Sequence, residues 1–157
     1  MATSVVGTGF SVAGSGGGGG GSTEALQIKF IGVAGENLAL GDVVRFDRAG
    51  TPGELLKAQA TTADPADVVG VVKASASSGG AVTIYMIGEA PVLMDAAPAA
   101  ASNGARVYLS PTTPGVGTIT VPTGAGEAVV LLGWLVGADG SDTSPAVVFN
   151  PALIALL

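Results

Sequence analysis

The 157-residue chain has no cysteine and no histidine, and its 6 basic and 12 acidic residues give a net charge of −6. This removes a disulfide framework, thiolate chemistry and the commonest general base and metal ligand. The cations Lys29, Arg45, Arg48, Lys57, Lys73 and Arg106 are scattered and form no basic patch for nucleic acid.

Length fits one domain, or one domain plus an arm. A compact chain of this size buries roughly 70% of its unfolded surface, so it can hold a real core. Apolar residues make up 48% but aromatics only 4%, so the core has to be Val, Leu, Ile and Ala. The 26 Gly and 9 Pro suit many short strands and turns. Charged residues are only 11%, against about a quarter in ordinary soluble domains. Either much of the surface meets other protein, or composition is biased toward Ala, Gly and Val.

Residues 1–23 are uncharged, and 16–21 are all glycine. Such a run has maximal backbone entropy and no means of folding alone. It is a plain linker, or an arm in which Val5, Val6, Phe10 and Val12 dock on a partner while the stretch from Gly16 to Gly21 gives reach. No Lys or Arg precedes Lys29, so a secretory signal is not expected. A β-domain then spans 24–157. Residues 26–30 alternate as a strand, and 41–46 form the next, closed by a hairpin-like turn over 47–53. Residues 55–60 follow, then a polar loop over 61–67.

Residues 70–88 read as a strand, a turn of small residues and a second strand, with Val82, Ile84 and Met86 on one face. Residues 90–94 read as an edge strand, because Pro91 cannot donate to a ladder. Residues 95–102 hold at most a turn or two of helix, limited by Pro98. Strands follow at 106–109, 118–121 and 128–136, the last buried on both faces with Trp134 as a core anchor. That apolar run is far short of the ~20 residues a membrane helix needs. Tyr85 and Tyr108 are expected outward or at an interface. The strand 146–149 ends at Asn150-Pro151, leaving an apolar tail over 152–157.

The second half echoes the first. Gly41 falls on Gly104, Val44 on Val107, Gly70 on Gly133, Ile84 on Val147 and Met86 on Phe149, each 63 residues later (133 − 70 = 63). Thr51-Pro52-Gly53 matches Thr113-Pro114-Gly115 with a slip of one. The expectation is a degenerate two-fold repeat, 38–88 and 101–151, of four-strand units in an all-β sandwich or small barrel.

No stretch carries a catalytic signature. Residues 14–19 fit a dinucleotide glycine pattern only through the polyglycine run, with no strand before it and no helix after. Gly21-Ser22-Thr23 lacks the lysine of a phosphate loop. Asp64 and Asp67, and Asp139 and Asp142, are expected to be solvated turn aspartates rather than acid–base or calcium pairs. A serine nucleophile has only lysine as a base, and Lys73 beside Ser75 is the nearest pair. The expected protein is therefore not an enzyme and takes no cofactor and no metal.

The succession of 41–46, 70–74, 80–88 and 103–110 resembles small virion structural proteins of tailed bacteriophages, in particular capsid decoration (cement) proteins. Residues 107–115 and on to 149–151 also resemble modules of phage fibre and spike proteins. The resemblance spans about 38–151 and rests on strands and turns, not on catalytic motifs; the glycine arm matches neither group. It implies a homotrimer on the capsid surface that bridges major capsid protein subunits, with the arm as attachment and no nucleic-acid or membrane partner. The alternative it implies is a head-fibre, tail-fibre or spike component.

Overall fold

The computed structural model describes residues 27–157. The arm residues Val5, Val6, Phe10, Val12, Gly16 and Gly21 lie outside the described residues. Nine strands follow in order: β1 (Ile28–Val33), β2 (Val43–Phe46), β3 (Leu55–Lys57), β4 (Val68–Val72), β5 (Ala81–Pro91), β6 (Arg106–Leu109), β7 (Gly117–Thr118), β8 (Ala128–Leu135) and β9 (Ala146–Leu156). A single 3₁₀ turn, Ala100–Ser102, stands between β5 and β6. All strand pairs are antiparallel in one sheet, ordered β3-β2-β4-β5-β9-β8-β6-β7, with β1 also on β5. The sheet curls into a half-barrel.

The repeat is written in the register. Val43, Val44 and Arg45 pair with Val71, Gly70 and Val68; Arg106, Val107 and Tyr108 pair with Trp134, Gly133 and Leu131. Every partner is displaced by 63 residues, including the bulge after Val44 and after Val107. β4 on β5 matches β8 on β9 in the same way: Val71 pairs with Tyr85 and Trp134 with Val148. The one-residue slip in the turn carries into β3 and β7, so Leu55 opposite Phe46 becomes Gly117 opposite Leu109.

A fifth strand belongs to each unit. In the first unit it is β1, with Phe30 opposite Ile84; in the second it is the end of β5, with Ala90 opposite Val147. The parallel bridge from Ala34 to Leu55 recurs as Met94 to Gly117. Thus β5 closes the first unit with its first half and opens the second with its last residues.

That shared role corrects two expectations. Pro91 ends the long inner strand β5, not a separate edge strand. The Val92 N–H bonds the Pro145 carbonyl on the β9 side. Donors alternate along a strand, so the Pro91 nitrogen points the other way, past the outermost described β1 pair, Ile28 with Ile87, and interrupts no described ladder bond. Nor does Pro151 end β9. The β8–β9 register shifts between Leu131 and Gly133, and Asn150-Pro151 lies in that bulge, a position a strand proline tolerates. Beyond it β9 continues along β8 to Leu156.

Glycine recurs at 70 and 133 for one reason. A Cβ on Gly70 would stand 2.7 Å from the Tyr85 carbonyl oxygen, and a Cβ on Gly133 would stand 2.0 Å from that of Val148. The two strands approach too closely for any side chain.

Two cores result. The first unit encloses Ala34, Leu38, Val44, Leu55, Val72, Val82 and Ile84. The second encloses Met94, Val107, Leu109, Leu132, Leu135, Val147 and Phe149, and this core also takes in Val43 and Val71 from the first unit. Adjacent strand residues face opposite ways. The first unit's sheet is therefore buried on both faces: Val44 and Val72 in its own core, Val43 and Val71 against its neighbour.

Candidate interaction surface

The aspartates singled out by sequence hold turns. Asp64 and Asp67 both face Arg48, the first at 3.6 Å, and all three side chains are about half exposed or more. Pairs in such a setting add little to stability. Asp139 Oδ1 accepts from the Ser141 N–H at 2.8 Å, the Asp142 N–H at 2.9 Å and the Ser141 hydroxyl at 2.9 Å. These bonds, the Ser141 amide first, hold its pKa below the ordinary 3.8. Asp47 is held low in the same way by the Gly50, Ala49 and Thr51 amides. A lowered carboxylate pKa means the unfolded chain binds the proton more tightly. Both turns therefore contribute fully above the unfolded value of 3.8 and lose that contribution as pH falls through the lower folded value. An NMR titration is expected to place both midpoints below 3.8, and the destabilisation caused by Asp139→Ala is expected to shrink toward pH 2.

Ser75 is similarly engaged: its hydroxyl accepts from the Leu40 N–H at 3.2 Å. A shallow cleft of about 410 Å³ lies over β7, lined in part by Ser110, Thr112, Thr118, Thr120 and Glu127. Ser110 Oγ accepts from the Thr112 and Thr113 amides, and Glu127 accepts from the Gly124 N–H at 2.7 Å. Ser110 and Glu127 are thus each committed to a turn, and Asp95 also lines the cleft. Among the described residues no three His, Cys, Asp or Glu side chains gather as a metal set, and no helix is long and apolar enough to cross a membrane.

Among the described residues one ion pair has a fully buried member. Asp42 is fully buried; its Oδ2 meets Lys57 Nζ at 3.2 Å and the Ala39 N–H at 2.7 Å. Its Oδ1 has no hydrogen-bond partner and packs against Gly115 of the second unit. Backbone bonds cross the same junction, from Val43 N–H to the Gly115 carbonyl at 2.8 Å and from Gly115 N–H to the Ala58 carbonyl at 2.7 Å. The pair belongs to the first unit and sits at its junction with the second, beside Gly115.

Several large apolar side chains are exposed. Trp134, expected in the core, stands on the outer face of β8 and is 41% exposed. It lies in a row across the sheet, Arg106–Trp134–Val148–Glu89, in which all four side chains are exposed. Ile87 and Val136 extend the apolar part on the same face. Tyr108 departs from expectation in the opposite direction: it is buried, beside the register shift between Val107 and Tyr108. Tyr85 is half-buried beneath Lys29, whose Nζ lies 5.5 Å from the ring centroid. A second exposed apolar strip, Leu153, Ile154, Leu156 and Leu157, follows the end of β9.

The sequence held a signal for the first patch. The row that corresponds in the first unit is Val43–Val71–Tyr85–Lys29, buried at its Val end. Arg106 in place of Val43 marks the second unit's outer face as one this chain leaves uncovered. No protein-family model, curated protein or solved structure matches the chain.

Proposed function

We propose that this chain is a non-enzymatic structural protein of a bacteriophage virion that decorates the capsid surface as a homotrimer and bridges major capsid subunits. The observation that carries this reading is the exposed apolar row around Trp134. An exposed apolar row of this kind marks a surface for protein contact. The likeness of 41–46, 70–74, 80–88 and 103–110 to decoration proteins supplies the partner. The uncharged residues 1–23 serve as the attachment. Val5, Val6, Phe10 and Val12 alternate loosely enough to add a strand to an exposed edge, where main-chain hydrogen bonds give affinity. Three such arms on one trimer bind with avidity and need no strong single site.

Deleting residues 1–21 is expected to leave the β-domain folded by circular dichroism and to abolish co-sedimentation with capsids. Undiminished binding of the truncated protein would refute the arm's role. Cryo-electron microscopy of the particle separates the decoration reading from a fibre or spike component: decoration covers the whole shell, whereas a fibre or spike is confined to vertices or the tail.

A further inference from the structure

We infer that copies of this chain associate head to tail by continuing, from one molecule to the next, the contact that joins the two units within each molecule. The inference goes beyond capsid attachment and rests on the repeat alone.

The internal contact has two sides. One is the outer face of the first unit, Val43, Val71 and Tyr85. The other is the mouth of the second unit's core, where Ala90, Leu109, Leu132 and Phe149 are all buried. Each side has an unused counterpart. The outer face of the second unit presents Arg106, Trp134 and Val148 where the first unit presents Val43, Val71 and Tyr85, and all three are exposed. The mouth of the first unit presents Phe30, Phe46, Val69 and Met86 where the second presents Ala90, Leu109, Leu132 and Phe149. These four are only partly buried at the edge of the first core, with Phe30 and Phe46 edge-to-face at 5.8 Å.

Among the described residues the chain therefore carries an unpaired outer face at one end and an unpaired mouth at the other, both copied from an interface it already makes. A second copy supplies the missing half of each. The partner's larger mouth side chains, Phe30 and Phe46 in place of Ala90 and Leu109, give Trp134 aromatic surface to meet. Such a contact is heterologous, so it closes into a ring if its rotation allows and otherwise runs on as a filament. Three copies in a ring would place six units around one axis.

The test uses the full chain in light scattering and sedimentation. Wild type is expected to be oligomeric, and Trp134→Glu and Met86→Lys each monomeric with an unchanged circular dichroism spectrum. Mixing the two variants is expected to give dimers and nothing larger, because between them they retain one intact outer face and one intact mouth. A chain free of cysteine permits a second measurement that does not depend on Met86→Lys folding: Val148→Cys with Met86→Cys should give a ladder with a short bis-maleimide, and single variants should give none. A monomeric wild type, variants that stay oligomeric, cross-links between two copies of Val148→Cys alone, or a mixture that stays monomeric while the double-cysteine chain gives no ladder would each overturn the inference. So would loss of association on deleting residues 1–21, which would place the arm on this surface instead of a second copy.

Discussion

Gly133→Ala is expected to be among the most damaging single substitutions in this protein. Its new Cβ would lie 2.0 Å from the Val148 carbonyl oxygen, a backbone atom that cannot step aside without breaking the β8–β9 ladder. The φ of +155° adds strain for any residue with a side chain. A loss of about 4 kcal/mol is expected, which for a domain of this size lowers the melting temperature by on the order of 10 °C. Gly70→Ala should behave similarly, since its Cβ meets the Tyr85 carbonyl at 2.7 Å. Gly104→Ala is the control. Its φ is also positive, at +88°, but nothing lies within 4 Å of the added Cβ, so about 1 kcal/mol is expected. Thermal unfolding of the three variants checks the ranking; equal losses at 133 and 104 would mean that φ, not the close approach, selects glycine.

Lys57→Ile is expected to cost about 3 kcal/mol, toward the low end for breaking a buried pair because the lysine side chain retains some solvent contact. The cost arises at Asp42, left charged, buried and with Oδ1 already unpartnered. The repeat suggests the remedy. The position that corresponds to Asp42 in the second unit is Ala105, and the one that corresponds to Lys57 is Ile119. Asp42→Ala with Lys57→Ile removes both charges and should be less destabilised than Lys57→Ile alone, although the Ala39 amide loses its acceptor. Denaturant unfolding of the single and double variants gives the coupling. A double variant at least as unstable as Lys57→Ile would show that the lysine stem, and not its charge, holds the junction.

Much of the fold was legible because local chemistry and tertiary demand agree. Alternation placed the strands around Val44, Ile84, Val107 and Val147, and turn residues placed the breaks at Gly50, Gly79 and Gly104. The 63-residue echo was visible because inward positions and close-approach glycines are the ones a duplicated core cannot change freely. What stayed hidden depended on neighbours far along the chain. The β5 strand passes through Gly88, and β9 through Pro151, because of what pairs beside them, and periodicity does not register that. Trp134 reads as a core residue in an apolar strand. Among the described residues nothing packs over its face as the second unit packs over Val71, and periodicity does not register that. The first strand of each unit was read as a strand but not as part of the repeat, because it recurs at 60 residues, not 63 (90 − 30 = 60), after the loops between units have changed length.

The tail of β9 carries a further consequence. β5 runs past the end of the first unit and becomes the opening strand of the second. β9 overruns in the same manner, but its surplus residues fold back along β8, Ala152 beside Leu131 and Leu156 beside Ala128. In a tandem array such a segment is a cap: it consumes the strand a next repeat would have begun with. At this end of the second unit no described strand is shared onward as β5 is shared between the units, so a further copy docking here would meet it through side chains and not through a common backbone strand.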